Sequence, residues 1–345
     1  MAKGADDPRL DPRIRAMLTT MPQPAPNPAT TREEMVARAN SPEANERAAM
    51  VQKLFSQIDT EPLAPTKGLD ISTHGFTSQP DGNTVKIQLI KPEGAGALPC
   101  VYYIHGGGMQ DFSCFDAMYR TWGRLLAHQG MAIAMVDFRN SLRPSSAPEI
   151  EPFPAGLNDC ASGVRWVSEN AGKLGIDKDR IIVAGESGGG NLTLATGLKL
   201  NRDGDIGLVK GLYALCPDIA GKWPDDRLPS SIENNGILLH LEGMGAAIAY
   251  GIDAYEAKDP LAWPLFASEE DVKGLPPVMI SVNECDPLRD EGIEFYRLLL
   301  RTGQPAQCRN VMGTSHGTEI AAHMCPDISR QTAASIAQFL KEVSG

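Results

Sequence analysis

A serine inside a glycine-rich turn is the residue whose surroundings point most directly to chemistry. The pentapeptide Gly185–Gly189 has the sequence Gly-Glu-Ser-Gly-Gly, which fits the pattern G-x-S-x-G, and it follows the apolar run Ile181–Ala184. A strand, a sharp turn and a helix in this order form a nucleophile elbow, whose strained turn exposes the serine hydroxyl. Glycines two positions before and after that serine avoid clashes with the strand and the helix. The pattern predicts Ser187 as a nucleophile, with an ordinary serine in a glycine-rich turn as the alternative.

A histidine followed by three glycines forms a second motif. The segment His105–Gly108 comes directly after the apolar run Cys100–Ile104, which is typical of a buried strand. Glycines let backbone N–H groups approach a substrate oxygen, and each donor aimed at a developing oxyanion is worth about 2.7–4 kcal/mol. We interpret this loop as one that stabilises an oxyanion, and His105 as a brace for the loop that does not transfer protons.

An acidic residue is expected after a late strand. A serine hydroxyl is a poor nucleophile at neutral pH and needs a general base that a carboxylate holds in place. In the chain order serine, acid, histidine, the apolar run Val278–Val282 precedes several acidic residues. Asp286 is the preferred acid, with Glu284 and Asp290 as alternatives. Asp290 opens the next predicted helix, where an acid is often only a partner of the helix dipole.

The general base is expected in the loop after the last strand. His316 lies in the segment Gly313–Gly317, which follows the predicted strand 306–312, and it is the preferred base. His323 falls in a predicted helix and is interpreted as a packed or surface histidine. The other histidines outside the oxyanion motif lie before this loop or outside it: His74, His128 and His240.

Short apolar strands alternate with amphipathic helices from Gly68 onward, and this alternation determines the fold class. Strands separated by helices imply βαβ crossovers and a mostly parallel α/β sheet with helices on both faces. Before the sheet, one or two helices are expected over residues 31–58, broken near Ser41-Pro42. Residues 220–265 interrupt the alternation and predict an insertion outside the sheet. The predicted strands span 84–90, 100–104, 131–137, 180–184, 208–216, 277–282 and 306–312, and the later helices span 115–129, 157–171, 188–201, 289–302 and 329–343.

Composition excludes several classes of function. The chain has 345 residues, a hydrophobic fraction of 42% and a net charge of −11, without a sustained run of Lys or Arg. These values argue against binding of nucleic acid or an anionic membrane surface. No stretch reaches the roughly 18 apolar residues that span a bilayer, and the first residues lack an apolar leader, so a cytoplasmic protein is expected. The seven cysteines contain no C-x-x-C pair and are interpreted as small buried side chains instead of disulfides or metal ligands.

Four segments together resemble one family. The segments His105–Gly108, Gly185–Gly190, Asp286–Gly292 and His316-Gly317 are similar to motifs of the hormone-sensitive-lipase-like (bacterial family IV) carboxylesterases. The resemblance covers about residues 70–345.

The chain departs from the common family pattern in ways that resemble the brefeldin A esterase branch. Most of the family has Asp and Ala where this chain has Glu186 and Gly188, and a Tyr-Arg-Leu-Ala-Pro-Glu stretch is replaced by Asp137–Ser141. The segments Pro152–Pro154 and Asp259–Pro264 point to the same branch.

The resemblance implies an architecture and a set of site residues. It implies an α/β-hydrolase fold with a mostly parallel eight-stranded sheet. Residues 1–70 are expected to form an N-terminal helical cap, and residues 71–345 a catalytic domain whose insertion at about 220–265 contributes to that cap. The implied catalytic triad consists of Ser187, Asp286 and His316. The implied oxyanion donors are the N–H groups of Gly107, Gly108 and Gly188. The residues that support these motifs are His105, Gly106, Gly185 and Glu186.

The expected activity is hydrolysis of short- to medium-chain carboxylic esters through an acyl-enzyme, with lactones as a further substrate class. The partner is a small-molecule ester, no metal or organic cofactor is expected, and the sequence leaves a homodimer open. An amidase or peptidase with the same triad, and a non-catalytic small-molecule receptor on the same fold, are the alternatives. Candidates for the pocket lining, with core packing as the other interpretation, are Met35, Met50, Phe55, Trp223, Met244 and Tyr250.

Overall fold

One mixed sheet organises the chain in the computed structural model, which describes residues 3–20 and 29–345. The sheet contains eight strands in the order β1-β2-β4-β3-β5-β6-β7-β8. The strands are β1 Leu69–Thr77, β2 Thr84–Pro92, β3 Leu98–Ile104, β4 Ala132–Asp137, β5 Ile176–Glu186, β6 Gly211–Leu215, β7 Val278–Asn283 and β8 Ala306–Val311.

Strand directions confirm the predicted mostly parallel sheet. Strand β2 runs antiparallel to both β1 and β4, whereas every pairing from β4 through β8 is parallel. All seven strands expected from the sequence are present. The additional strand, β1, escaped sequence analysis because it is an edge strand with few apolar residues, and only Leu69 and Phe76 in it are buried. Its extended conformation comes from pairing with β2, which is a tertiary contact.

Helices cover both faces of the sheet, as the sequence predicts. Apolar side chains of α5, α6 and α11 pack on one face. Those of α4 and α12 pack on the other face. The helices are α1 Pro12–Thr20, α2 Arg32–Ala39, α3 Pro42–Ile58, α4 Ala117–Ala127, α5 Ala155–Leu174, α6 Gly188–Asp203, α7 Ser230–Glu233, α8 Gly245–Tyr250, α9 Ile252–Glu256, α10 Glu269–Val272, α11 Arg289–Arg301 and α12 Pro326–Val343.

The N-terminal region forms two helices where the sequence predicts one or two over residues 31–58. The side chain of Thr31 accepts a hydrogen bond from Glu34 N–H at the start of α2, and Ser41 caps α3 in the same way. Because such caps satisfy the first free N–H groups of a helix, they explain the break near Ser41-Pro42.

Helix α1 was not predicted, and its apolar side chains bury against distant parts of the chain. Ile14 and Leu18 pack with Ile237 of the insertion and with Cys285, next to the predicted acid. Asp11 N–H donates to the Gly313 carbonyl over 2.9 Å, which ties the helix to the loop of the predicted base. Only two buried apolar positions in a nine-residue helix give too short a pattern to identify from sequence.

The residues predicted as an insertion lie between β6 and β7 and form three short helices, α7, α8 and α9. Trp223 and Gly243 pair in an isolated antiparallel bridge that closes the first part of this segment. All seven cysteines lie within the described residues, none is in a disulfide, and six are buried. Among residues 3–20 and 29–345, no helix combines the length and the apolar character needed to cross a membrane.

Candidate active site

Ser187 occupies the sharp turn between β5 and α6, where the sequence predicts a nucleophile elbow. Its backbone has φ 58° and ψ −121°, an unfavourable region for a residue with a side chain. A Cβ at Gly189 would lie 2.1 Å from the Ile104 carbonyl oxygen, and one at Gly185 would lie 2.5 Å from the same atom. Only glycine fits at these two positions, so the surrounding backbone holds the turn in its strained shape.

A chain of two hydrogen bonds joins Ser187, His316 and Asp286. The Ser187 hydroxyl lies 2.8 Å from His316 Nε2, and His316 Nδ1 lies 2.7 Å from Asp286 Oδ2. The three side chains come from loops that follow β5, β8 and β7. Because carboxyl ends of parallel strands meet at one edge of a sheet, residues 187, 286 and 316 converge despite their separation in sequence. The preferred nucleophile, base and acid are therefore brought together in hydrogen-bonding order.

The Asp286 carboxylate is fully buried and held by its own loop and by the insertion. Leu288 N–H donates to Asp286 Oδ1 over 2.9 Å, which leaves Oδ2 to His316. From the insertion, the Asn234 side-chain amide donates to the carbonyls of Glu284 and Asp286, over 3.2 and 3.1 Å. No local pattern marks Asn234 as a supporting residue, so sequence analysis missed it.

The two alternative acids have other partners. Glu284 accepts a hydrogen bond from Gly313 N–H over 2.7 Å and so links the acid loop to the histidine loop. Asp290 accepts from Ser230 N–H over 2.7 Å and from Arg289 Nε over 2.9 Å. Neither carboxylate contacts His316, so both hold the loops around the site instead of the imidazole.

The histidines that the sequence does not favour as the base do not contact Ser187. His323 and His240 line the cavity in front of the serine. His74 lies beside Ser72 on β1, and His128 beside the Pro65 carbonyl. His316 is thus the histidine that reaches Ser187 in the part of the chain that the structure describes.

Electrostatics around His316 favour its protonated form. Burial alone would lower the pKa of the imidazole, but the negative charge of Asp286, its hydrogen bond to the ring and the neighbouring Cys216 together hold the pKa well above its ordinary value. Cys216 lies against the same ring, where burial raises the pKa of its thiol to about 11, so the thiol is neutral at physiological pH. An imidazole stabilised as a cation by Asp286 is suited to accept the Ser187 proton.

One group of metal-ligand side chains occurs within the described residues, and it coincides with this hydrogen-bond chain. Ligand atoms of Cys216, Asp286 and His316 lie within 4.8 Å of one another. Both ring nitrogens of His316 are already used by Ser187 and Asp286, and the raised pKa of Cys216 opposes the thiolate that a metal requires. The chemistry of this donor set fits a proton-transfer site better than a metal centre.

The His-Gly-Gly-Gly loop lies beside the first residue of α6. Gly107 and Gly108 have φ +97° and +63°, which side chains rarely adopt. A Cβ at Gly188 would lie 2.7 Å from the Gly108 nitrogen, so the loop packs directly on the elbow. Among the described residues, the N–H groups of Gly107, Gly108 and Gly188 donate to no protein acceptor. These three donors border Ser187 and are available to a ligand.

A buried carboxylate supports the loop from behind. Glu186 Oε1 accepts hydrogen bonds from Gly106 N–H over 2.6 Å and from the Tyr119 hydroxyl over 2.7 Å. The Tyr103 hydroxyl donates to Oε2. Burial raises the pKa of Glu186 to about 7, although these three donors favour the ionised form. Tyr103 and Tyr119, whose roles the sequence did not reveal, thus anchor the glutamate that holds Gly106.

His105 has the surroundings of a structural residue. Its ring is fully buried, stacks on Phe138 at a centroid distance of 4.3 Å, and donates from Nδ1 to the Gly106 carbonyl over 2.9 Å. Burial lowers the pKa of the imidazole. These contacts agree with the interpretation of His105 as a brace for the loop.

A cavity of about 1090 Å³ opens in front of Ser187 and is lined mainly by apolar side chains. Four of the six candidate lining residues contribute to it: Met35, Phe55, Trp223 and Met244. Met50 instead faces solvent with 64% of its surface exposed, and Tyr250 is buried in the core. The cavity walls come from the N-terminal helices, the insertion and the histidine loop, so they combine parts of the chain far apart in sequence.

Comparisons with known proteins agree with this geometry. A family model described as alpha/beta hydrolase fold matches residues 101–332. Carboxylesterase NlhH of Mycobacterium tuberculosis is 34% identical over 246 residues, which are 70% of this chain and 72% of NlhH. A structure of esterase Est22 superposes with a TM-score of 0.95 at 59% identity, and the match covers 98% of this chain and 99% of the Est22 chain.

A further solved structure identifies the branch. Brefeldin A esterase, described as a bacterial homologue of human hormone sensitive lipase, superposes with a TM-score of 0.84 at 35% identity. The alignment covers 98% of this chain and 95% of that enzyme. With the sheet order, the serine elbow and the His-Gly-Gly-Gly loop, these matches confirm the resemblance seen in the sequence, and the chain belongs to the hormone-sensitive-lipase-like carboxylesterases of the α/β-hydrolase fold family.

Proposed function

We propose that the protein is a serine carboxylesterase that hydrolyses short- to medium-chain carboxylic esters. Ser187 is the nucleophile, His316 is the general base, and Asp286 is the acidic residue whose carboxylate orients His316. The observation that carries the proposal is the hydrogen-bond chain of 2.8 and 2.7 Å through these side chains, at the floor of an apolar cavity. The relatives named as esterases or carboxylesterases support the same reaction class.

The first half of the reaction transfers the acyl group to the enzyme. Ser187 Oγ forms a bond to the ester carbonyl carbon while its proton passes to His316 Nε2 and the carbonyl electrons move onto oxygen. Asp286 keeps Nδ1 protonated and stabilises the imidazolium. Collapse of the tetrahedral intermediate breaks the bond to the alcohol oxygen, which takes the proton from Nε2 and leaves an acyl-enzyme.

The second half repeats these steps with water. His316 removes a proton from a water molecule as its oxygen attacks the acyl carbon. The new tetrahedral intermediate releases the carboxylic acid, and Ser187 recovers its proton from His316. In both halves the N–H groups of Gly107, Gly108 and Gly188 donate to the developing oxyanion.

The cap is the part of the proposal that concerns substrate choice. The described part of residues 1–70 and the insertion at 220–265 would form a cap over the catalytic domain 71–345, and their side chains would bound the acyl and alcohol sites. The apolar lining favours uncharged esters, including lactones of suitable size. A structure of Est22 contains p-nitrophenol, so p-nitrophenyl esters are suitable probes.

Replacement of the nucleophile tests the proposal. Ser187→Ala should lower the rate of p-nitrophenyl butyrate hydrolysis by about 10⁴-fold or more without loss of folding, because the acyl-enzyme no longer forms. Ser56→Ala is the matched control, since Ser56 is exposed on α3 and its hydroxyl donates to the Lys53 carbonyl.

A fluorophosphonate separates an esterase from a receptor on the same fold. It should label the wild type and the Ser56→Ala variant but not Ser187→Ala. Hydrolysis of a matched p-nitroanilide faster than the ester would favour an amidase instead. Unchanged esterase activity of Ser187→Ala would contradict the proposed nucleophile.

A further inference from the structure

The carboxyl group of Asp218 is buried at the catalytic cavity without a partner. Asp218 follows β6, is 92% buried and belongs to the cavity lining. Its Oδ1 is inaccessible to solvent and has no hydrogen-bond partner among the described residues. A buried polar group without a hydrogen bond costs about 1–3 kcal/mol, so such a group calls for a partner that the protein does not supply.

Asp218 is close to the reacting atoms. Its N–H donates to the Ser187 carbonyl over 3.1 Å, so the backbone holds residue 218 against the nucleophile. Its Oδ2 lies 3.9 Å from the position that a Cβ on Gly108 would occupy, next to a proposed oxyanion donor. A ligand group bonded to this carboxyl therefore lies near the scissile ester.

Two other buried carboxyl groups near the site contrast with Asp218. Glu186 accepts three hydrogen bonds. Glu291 likewise accepts from Ile219 N–H over 2.7 Å, from Ala220 N–H over 2.8 Å and from Trp223 Nε1. The protein thus satisfies the carboxylates of Glu186 and Glu291, which support its loops, and leaves the carboxyl group of Asp218 unsatisfied.

Burial is the main factor that favours the protonated form of Asp218. Burial raises its pKa to about 7, with His316 opposing the rise and Asp286 adding to it. Glu291, whose pKa is also raised by burial and by Asp218, faces it as well. Negative charge beside Gly108 would also oppose the oxyanion that forms there. A protonated carboxyl group offers both a donor O–H and an acceptor oxygen.

We propose that Asp218 is a specificity-determining residue that hydrogen-bonds a hydroxyl group of the substrate close to the scissile ester. The inference rests on the proposed esterase function and adds a substrate class, esters of 2- or 3-hydroxy acids. A hydroxyl is both donor and acceptor, so it can pair with Oδ2, the oxygen next to Gly108, whether or not that oxygen carries the proton. An ammonium group would require the ionised form instead. An ester without a polar substituent would leave the carboxyl unpaired, which disfavours its binding.

Matched ethyl esters test the proposal. We would measure kcat/KM for ethyl butyrate, ethyl 2-hydroxybutyrate, ethyl 3-hydroxybutyrate and ethyl 3-aminobutyrate by titrating the released acid at constant pH. The wild type should prefer one of the hydroxy esters over ethyl butyrate by about tenfold or more in kcat/KM, since the substrate hydroxyl forms the hydrogen bond that Asp218 otherwise lacks. The Asp218→Leu variant should lose that preference about tenfold. Asp218→Asn, which keeps a donor and an acceptor, should retain most of it.

Controls separate failure of this proposal from failure of the esterase function. Asp226→Asn makes the same chemical change at an exposed residue outside the cavity and should retain the wild-type ratio. Fluorophosphonate labelling of Ser187 in each variant checks that the catalytic machinery is assembled. If the wild type is labelled and its kcat/KM for ethyl butyrate equals that for both hydroxy esters, the proposed role of Asp218 is wrong while the esterase function stands. The role of Asp218 would also be contradicted by a preference for the amino ester. The same holds if Asp218→Leu leaves the ratio of hydroxy-ester to butyrate hydrolysis unchanged.

The wild-type ratios keep the proposal testable if Asp218→Leu fails to fold. A wild type that is neither labelled nor active on any of the esters would instead contradict the proposed esterase function.

Discussion

The two sides of the catalytic cavity are built differently. On the sheet side, Ser187, Asp286 and His316 stand on loops that directly follow strands, and Asp286 is completely buried. On the opposite side, which we propose to be a cap, α3 contributes no buried residue, and Leu54 is 53% exposed although it lines the cavity.

The difference follows from what each side has to do. Proton transfer between Ser187 and His316 requires heavy atoms within about 3 Å, and a rigid parallel sheet holds the loops to that accuracy. An apolar wall requires only approximate shape, so a half-exposed helix with few fixed contacts suffices. Mutations of Ser187, Asp286 or His316 should therefore change the rate of every substrate, whereas mutations on the cap side should change the ratio between substrates.

The largest effect beyond loss of the nucleophile is expected at the acid. Asp286→Asn should lower kcat by about 10³–10⁴-fold for all esters, because His316 loses the partner that orients and charges it. The pKa of His316 should fall, since the charge that raises it is removed. A base with a lower pKa is neutral at lower pH, so the acidic limb of kcat/KM should move to lower pH.

A pH profile on p-nitrophenyl butyrate checks this prediction. Asp290→Asn is the control, since Asp290 bonds to Ser230 and Arg289 and not to His316. An acidic limb at the same pH in wild type and Asp286→Asn would contradict the assignment of the acid.

The oxyanion loop should give the next largest effect. A Cβ at Gly107 would lie 2.3 Å from the Asp111 carbonyl oxygen at a φ of +97°, so Gly107→Ala must displace the loop. We expect kcat to fall about 10²–10³-fold with little change in KM, because the lost donors act on the transition state. Gly94→Ala is the control, as Gly94 has φ +64° but no neighbour within 4 Å. An equal loss of kcat in both variants would indicate general strain instead of a lost donor.

The support of that loop should appear in the pH dependence of stability. The pKa of Glu186 is about 7 in the folded protein, against 4.5 for an ordinary glutamate. The folded state therefore binds more protons between these pH values, and the free energy of unfolding should fall as pH rises from 4.5 to 7. The total change is at most about 3 kcal/mol. The contribution becomes constant about one pH unit above the pKa of Glu186, where the carboxyl group is ionised in the folded protein as well.

Removal of the titrating group should flatten this curve. Glu186→Gln should lose less stability than the wild type between pH 5 and pH 7, as measured by urea unfolding at several pH values. Glu149→Gln changes an exposed glutamate and should keep the wild-type slope. Parallel curves for wild type and Glu186→Gln would contradict the role given to burial of this carboxyl.

The cap should give the smallest effect and one confined to substrate ratio. Leu54→Ala removes half-exposed apolar surface, worth about 0.5–1 kcal/mol to a bound acyl chain. The ratio of kcat/KM for p-nitrophenyl octanoate to that for p-nitrophenyl acetate should fall about threefold. Met50→Ala alters a more exposed residue that does not line the cavity and should leave the ratio unchanged. An equal loss of kcat/KM for both esters would contradict the proposed division of roles between the two sides of the cavity.

Sequence analysis succeeded where local rules dominate and failed where partners are distant. Strands with continuous apolar runs, such as β3 and β5, were predicted because burial on both faces demands them. The edge strand β1 was missed because its conformation depends on pairing with β2. Asn234, which supports the acid loop from the insertion, had no signal because its hydrogen-bonding partners lie about fifty residues away.

The sequence by itself determined the elbow and the His-Gly-Gly-Gly loop, which carry the proposed nucleophile and oxyanion donors, because a strained turn and close backbone packing require glycines at set distances from Ser187 and His105. It also narrowed the acid and the base to a few residues through the order of strands.

Only the tertiary structure decided that Asp286 and His316, instead of Glu284 or His323, contact each other, since this depends on loops that meet at one sheet edge. It alone revealed that Asp218 is buried without a partner, because whether a carboxyl group is satisfied depends on every atom packed around it.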